Sequence, residues 1–184
     1  SLEHVPASNA VGNWLRRMGG NWDGMDIGDS PGLQGLASVR RTILSRYLAG
    51  VDQITIDIDA TVIKAEKRDA KMTYKGVSGY TPLIAFVDGG KAVLWDEFRE
   101  GNVSPNSRAV ESLDACEAEA KRLGIRVSGL RSDAAYYQAD VFDWAEDRGI
   151  GFAIGASQDS AVVDAIDTIP AGDWRPVPDT DRPS

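Results

Sequence analysis

The chain has 184 residues, with 20 lysines and arginines against 28 aspartates and glutamates, for a formal charge of −8. No apolar run approaches the roughly 18 residues of a membrane span and no signal peptide is visible, so no membrane partner is expected and a reducing cytoplasm is the default location. A single cysteine, Cys116, and a single histidine, His4, exclude a disulfide framework, a cysteine- or histidine-based zinc site, and Ser-His-Asp or Cys-His catalysis, which leaves carboxylates to do any chemistry.

Residues 8–18 read as a helix, with Val11, Trp14, Leu15 and Met18 at helical spacing and Gly19-Gly20 as its stop. A loop rich in Gly and Asp over 20–32 leads to a second helix. That helix carries Leu33, Leu36, Ala37, Leu44, Tyr47 and Leu48 near one face and ends at Gly50. The period then changes from 3.6 to 2. A first strand is expected over 52–59, and a basic, Gly-containing stretch leads to a second over 80–87. Asp88-Gly89-Gly90 is a hairpin signal before a third strand over 91–98. A helix follows, with Ser104 as cap and Pro105 at its first position. It turns Val110, Leu113, Cys116, Ala120 and Leu123 inward and stops at Gly124. A fourth strand over 125–130 runs into Arg131-Ser132-Asp133. The next helix carries Tyr137, Val141, Trp144 and Ala145 and ends at Gly149. A fifth strand covers 150–154, and a last helix covers 159–168, with Val162, Val163 and Ile166 on its apolar side.

From residue 51 the order is β-β-β-α-β-α-β-α. Three successive strands argue for an antiparallel meander, and the later β-α-β units for parallel additions. This is the order of a ribonuclease-H-like α/β fold with a mixed sheet, preceded here by an N-terminal helical segment. The expected division is a helical segment over 1–50, a core over 51–170 and a linker or the start of a further segment over 171–184. Because the first residue is Ser and residues 178–184 read as a linker, a piece of a longer protein is expected.

The chemistry centres on the first strand. Ile54, Thr55, Ile56 and Ile58 suit a buried strand, yet Asp57 and Asp59 interrupt it and share one face. A carboxylate there is costly unless it is paired, hydrogen-bonded or bound to a metal. Two together suggest a cation site; the plain alternative is that the strand frays after Ile56. Asp133 falls just past the fourth strand, where open α/β sheets place their sites, and it also precedes a helix that it can cap. First and fourth strands are neighbours in this fold, which would bring Asp59 to Asp133. Such carboxylates suit Mg²⁺ or Mn²⁺, and a pair of ions serves phosphodiester chemistry. Two ions call for a third acid; Asp140, Asp143, Glu146, Asp147, Asp164 and Asp167 are candidates that no sequence context separates. Lys64, Lys67, Arg68, Lys71 and Lys75 outnumber Glu66 and Asp69 and make either a phosphate-contacting loop or a solvated one.

Several blocks in fixed order carry a resemblance. They are Val11 to Arg17; Ile56-Asp57-Ile58-Asp59-Ala60-Thr61-Val62; Tyr74-Lys75-Gly76 with Gly79-Tyr80-Thr81-Pro82-Leu83; and Gly101-Asn102 with Ser104-Pro105 and Ala109-Val110-Glu111. Arg131-Ser132-Asp133 with Tyr136-Tyr137, then Arg148-Gly149-Ile150 and Ile154-Gly155-Ala156, complete the set. Over nearly its whole length the chain resembles the catalytic region of bacterial insertion-sequence transposases of the DDE type, group 1. The resemblance implies that Asp59, in its Asp-x-Thr context, is the first catalytic acid and metal ligand, that Asp133 is the second, and that Asp57 supports them. It implies two Mg²⁺ or Mn²⁺ ions in the complete enzyme. The family's third acid, a Glu in a later motif with Tyr, Arg and Lys, is not found before Ser184. The implied partners are transposon-end and target DNA, with Lys64, Lys67, Arg68, Lys71 and Lys75 as DNA contacts, and other copies of the chain assembled on that DNA. Arg16, Arg17, Arg40, Arg41 and Arg46 mark either a DNA-facing helical part or the solvent side of apolar helices. The implied reaction is hydrolytic nicking at transposon ends, then attack of the freed 3′-OH on target DNA. Two departures, Thr81 where His is frequent and residues 67–71 where Gln and Gly are frequent, bear on DNA contacts rather than on the acids.

Two other readings compete. Asp57-x-Asp59-x-Thr61 also fits a haloacid-dehalogenase-type phosphatase, with Asp57 as nucleophile and Asp59 as general acid, which requires a parallel sheet. A transposase remnant that only binds DNA or self-associates is the non-enzymatic alternative.

Overall fold

The computed structural model describes residues 31–87, 89–156 and 159–175, with Ala10 and Asn13. The helix expected over 8–18 and the linker over 178–184 otherwise lie outside the described residues, as do Arg16, Arg17 and Asp88. The first described helix, α1 (Pro31–Tyr47), opens on proline, whose fixed φ and missing N–H suit a first helical turn. Gly50 follows it at φ 81. Then come β1 (Gln53–Ala60), β2 (Ile63–Lys64), β3 (Lys71–Met72), β4 (Ser78–Tyr80), β5 (Leu83–Val87) and β6 (Ala92–Glu97). The rest is α2 (Ala109–Arg122), β7 (Arg126–Ser132), α3 (Ala139–Asp147), β8 (Gly151–Ile154) and α4 (Ser160–Asp167).

The main sheet has the order β6-β5-β1-β7-β8. β5 is antiparallel to both its neighbours, and β7 and β8 run parallel to β1. The meander followed by parallel additions is the ribonuclease-H-like topology that the element order predicts. It also overturns the phosphatase reading, which needs an all-parallel sheet.

β1 lies at the centre and alternates as its sequence demands. Ile54, Ile56 and Ile58 are buried, while Asp59 is exposed and Asp57 half-buried. The isoleucines pack with Leu83, Ala85 and Val87 of β5 and with Val127 and Leu130 of β7. Leu113, Cys116 and Ala120 of α2, Val141, Trp144 and Ala145 of α3, Leu44 of α1 and Leu48 just after it complete one core cluster. Each fully buried isoleucine or leucine contributes about 1.5–3 kcal/mol of transfer free energy. Of the apolar stripe expected on α1, Leu36 and Tyr47 remain exposed. The predicted stops at Gly124 and Gly149 hold, both with positive φ (75 and 63), and the last helix begins next to Asp159, whose carboxylate accepts from Val162 N at 2.9 Å to cap α4.

Four expectations need correction. The second strand does not run over 80–87: Thr81 N turns to the Arg99 carbonyl and Pro82 has no N–H to give a ladder, so pairing restarts at Leu83. The basic stretch is not a loop throughout: three short strands within it form a second sheet of order β2-β4-β3, with Lys67, Arg68 and Lys75 in its connections. α2 does not start at Pro105. Residues 104–107 close a turn, with Ser107 N donating to Ser104 O at 3.0 Å, and Arg108 takes φ 57, a left-handed conformation that cannot continue a helix. Finally, Tyr137 is not helical. A short 3₁₀ turn, Ala134–Tyr136, comes first, and Gln138 in extended conformation precedes α3.

Candidate active site

β1 and β7 bring the two acid motifs to one end of the sheet. Asp57 lies opposite Arg131 and Ile58 opposite Ser132, so the next step carries Asp59 to the position beside Asp133. Ser132 Oγ donates to Ile58 O at 3.0 Å and Gly155 N donates to Ser132 O at 3.1 Å, which fixes this end against β8. Gly155 packs closely here: a Cβ would stand 3.2 Å from Ala134 N. Asp133 Oδ1 accepts from Ala135 N at 3.0 Å and caps the 3₁₀ turn. Capping and ligation are therefore compatible, because the cap occupies one carboxylate oxygen and leaves the other. Tyr136, 1% exposed, anchors the turn in the core, where burial pushes its hydroxyl above the ordinary tyrosine range. Asp59 is exposed.

Asp57 has a different environment. Arg131 donates through Nη2 to Oδ2 at 2.7 Å and through Nε to Oδ1, forming a forked ion pair across the strands. Among the described residues no group of three or more His, Cys, Asp or Glu side chains could hold a metal ion. So none of Asp140, Asp143, Glu146, Asp147, Asp164 and Asp167 completes a site with Asp59 and Asp133, and Asp57 does not either. The acid pair offers two carboxylates, an oxygen donor set that suits Mg²⁺ or Mn²⁺ with remaining positions left to water and phosphate. A cleft of about 640 Å³ lies towards the other end of β1, lined by Tyr47, Leu48, Gln53, Thr55 and Arg131 among others, and it contains neither acid.

Of the basic residues, Lys64 and Lys71 lie on β2 and β3, Lys67 and Arg68 between those strands, and Lys75 in the turn before β4. All five are exposed. Among the described residues none of them is in a salt bridge, whereas Arg40, Arg41, Arg99, Arg108, Arg131 and Arg148 all are. Arg40 pairs with Asp96 and Arg41 with Glu119, so these two hold α1 to the fold rather than facing a ligand. Thr81, one of the two departures from the family pattern, is 1% exposed and donates to Gly101 O at 3.1 Å.

A family profile described as Transposase DDE domain group 1 matches residues 32–181. The chain belongs to this DDE transposase family. None of the curated proteins matches it. Among solved structures it is similar to the simian T-cell lymphotropic virus intasome in complex with PP2A regulatory subunit B56 gamma, at 16% identity over 64% of this chain and 38% of that one, with a TM-score of 0.38. It is also similar to the HTLV-2 integrase catalytic core domain in complex with magnesium, at 13% identity over 64% of this chain and 66% of that one (TM-score 0.37). A third likeness is to the Mos1 transposase paired-end complex with left transposon end, at 17% identity over 86% of this chain and 61% of that one (TM-score 0.38). The chain thus spans 38 to 66% of the length of these proteins.

Within this DDE domain, two features escape sequence reasoning. Arg131 is visible as part of a motif, but its partner is not; the clue is the equal spacing of Asp57-x-Asp59 and Arg131-x-Asp133 on strands expected to be parallel neighbours. Arg99, 6% exposed, is the other. It donates to Glu97 Oε2 and, at 2.9 Å, to Ser112 Oγ, joining β6 to α2. Nothing in the sequence marks it as a buried charge.

Proposed function

We propose that this chain is the acid-bearing part of a DNA transposase: a metal-dependent polynucleotidyl transferase that nicks at insertion-sequence ends and joins the freed 3′-OH to target DNA. The observation that supports the reading is the parallel register of β1 and β7, in which Ile58 pairs with Ser132 and Asp59 and Asp133 are the next residues at the carboxyl end of the central strands. In this reading Asp59 and Asp133 hold Mg²⁺ or Mn²⁺. When bound, the metal supplies activation of the attacking oxygen and stabilisation of the leaving one. Both ions of a pair need a further acid beyond the two present, which the family resemblance assigns to a later Glu.

The chain's own residues then position the DNA. Lys64, Lys67, Arg68, Lys71 and Lys75, unneutralised by acids, lie where β1 ends and are free to contact phosphates. Arg131 keeps Asp57 neutralised, so the face beside the acid pair does not accumulate a third negative charge. Assembly of several copies on DNA belongs to the same reading.

The test is Mn²⁺ binding by electron paramagnetic resonance. Asp59→Asn and Asp133→Asn should each weaken it at least about tenfold, the loss of one of two charged ligands, while Asp167→Asn, on the exposed end of α4, leaves it unchanged. Equal binding in all three variants would remove the metal site. A remnant that only binds DNA would keep DNA affinity and show no Mn²⁺ binding.

A further inference from the structure

Arg99 is a buried cation that neither the acid pair nor the exposed lysines account for. It lies just past β6, at the acid-bearing end of the main sheet: Ala60, next to Asp59, pairs with Leu83, and Leu83 pairs with Glu97, two residues before Arg99. Burying a guanidinium is costly unless its donors are answered. Nε donates to Glu97 Oε2 at 2.6 Å and Nη2 to Ser112 Oγ at 2.9 Å, and Ser112 Oγ in turn donates to Arg108 O at 2.8 Å. The Arg99 carbonyl accepts from Thr81 N at 3.0 Å, which holds the backbone as well. The third nitrogen, Nη1, is buried with no hydrogen-bond partner among the described residues.

A second buried group in the same place is unanswered. The Tyr136 hydroxyl also has no hydrogen-bond partner among the described residues. Burial pushes this hydroxyl up, while the Arg99 charge and the Ser112 hydroxyl draw it back down, so both lie close to it. The two groups are complementary, because a guanidinium N–H can only donate and a phenol oxygen can accept. Buried polar groups are rarely left unpaired, and hydrogen bonds around a site often tighten only when the site is loaded. Tying β6 to α2 needs Nε and Nη2 of Arg99 but neither Nη1 nor a tyrosine at 136; phenylalanine would fill the same space without burying a hydroxyl. Tyr136 is also bound directly to the second acid. Its N–H donates to Asp133 O at 3.2 Å, and Ala135 N donates to Asp133 Oδ1 at 3.0 Å, so the turn that aims the Asp133 carboxylate is closed by Tyr136 itself. A ring fixed at its far end would hold that turn in one place.

We infer that Arg99 is a positioning residue for Asp133: its free Nη1 meets the Tyr136 hydroxyl in the loaded site and fixes the turn that carries the acid. The inference rests on the metal-binding reading of Asp59 and Asp133 and adds to it the buried support, running from Glu97 through Arg99 to Tyr136, that keeps one of the two ligands in place.

The experiment is a Mn²⁺ titration of the 184-residue chain by electron paramagnetic resonance, paired with hydrogen exchange at the Ala135 and Tyr136 amides, read by NMR in Mg²⁺. Tyr136→Phe should weaken Mn²⁺ binding about fivefold, short of the roughly tenfold or more expected when a partner of the ligand itself is lost. It should also speed exchange at both amides while leaving Tm unchanged or raised, because an unpaired buried hydroxyl has been removed. Arg99→Met should weaken Mn²⁺ binding to the same extent, and the double variant should be no worse than the weaker-binding single one, since both remove one contact. Leu44→Ala, a buried position in α1, should lower Tm and leave Mn²⁺ affinity unchanged, which separates positioning from general loss of stability. If Tyr136→Phe leaves Mn²⁺ affinity and amide exchange as they are in the parent chain, the inference is refuted, and the metal reading stands provided that Asp133→Asn still weakens binding. If the losses of Tyr136→Phe and Arg99→Met add in full in the double variant, the two residues act separately and the inference is refuted. If the parent chain binds no Mn²⁺, both fall.

Discussion

Replacing Arg41 by alanine tests how α1 is held to the core. Arg41 donates through Nε and Nη2 to the two oxygens of Glu119, at 2.8 and 2.9 Å, and the Glu119 side chain is only 5% exposed. One hydrogen bond to a charged group contributes about 1.5–3 kcal/mol. Two bonds into one carboxylate do not add in full, and Arg41 is 38% exposed, so water screens part of the gain. After the substitution, Glu119 stays buried with Arg122 as its remaining cation. The expected cost is about 2 kcal/mol, or roughly 4–8 °C in Tm for a chain of this size. Arg122→Ala removes a partner that is 57% exposed and should cost less than about 1 kcal/mol.

The pH dependence sharpens this test. Hydrogen bonding from Arg41 holds the Glu119 carboxyl below its ordinary range, against the opposing effect of burial. A carboxylate with a depressed folded pKa stabilises the fold fully above its unfolded value, near 4.3, and the contribution is lost as pH falls through the folded value. In urea unfolding, the gap between the parent chain and Arg41→Ala should be complete at about pH 7 and shrink below about pH 4. A gap that persists unchanged at about pH 3, or a cost for Arg122→Ala equal to that for Arg41→Ala, would refute the clamp.

Cys116 is fully buried and its thiol is pushed up to about 12 by burial, so iodoacetamide should label it only as fast as the chain unfolds; rapid labelling of the native protein would contradict that packing. Gly101→Ala should cost about 1–3 kcal/mol, because the clashing atoms are backbone oxygens that cannot swing aside. Its hydrogen-exchange signature should be lost protection in β3 and β4, whereas Gly35→Ala, with open space around it in α1, should gain up to about 1 kcal/mol. Arg131→Gln frees Asp57 on the face it shares with Asp59, and Mn²⁺ affinity measured by calorimetry should rise about fivefold from the removed positive charge; unchanged affinity would mean that the two sites do not sense each other.

Much of the main sheet is legible in the sequence because its signals are strong and local. Alternation of Ile54, Ile56 and Ile58 with Asp57 and Asp59 defines β1, and the glycines at 124 and 149 end their helices because only a left-handed residue suits the turn that follows. The acids could be placed at the sheet's end because that follows from strand order alone. What failed depended on distant partners. Strands as short as β2 and β3, two residues each, have no periodicity to detect and exist because β4 pairs with both. Ser104-Pro105 carries a sound local helix start, yet the helix waits until Ala109 because Arg108 turns left-handed and reaches Glu97. Likewise Arg40 and Arg41 look like surface charge until Asp96 and Glu119, more than fifty residues away, come to meet them.

A single irregularity decides whether the two acid motifs meet. Gln53 and Ile54 pair with Arg126 and Val127, but Thr55 pairs with Gly129, so Ser128 is an extra residue in β7. Carry the first offset forward without that bulge and Arg131 would face Ile58, on the buried side of the sheet, while Asp59 would face Ser132. A one-residue slip moves every later side chain of a strand to the other face. The bulge therefore does two things at once: it keeps the Arg131 guanidinium out of the core and opposite Asp57, and it brings Asp133 level with Asp59. The local residues fit the role. A Cβ at position 129 would stand 2.5 Å from Thr55 Oγ1, so glycine is needed where the strands close up again, and Ser128 Oγ reaches the Ile54 carbonyl at 3.3 Å across the bulge. The ion pair and the acid pair are consequently two readouts of the same register, and a change at Gly129 would disturb both without touching a carboxylate.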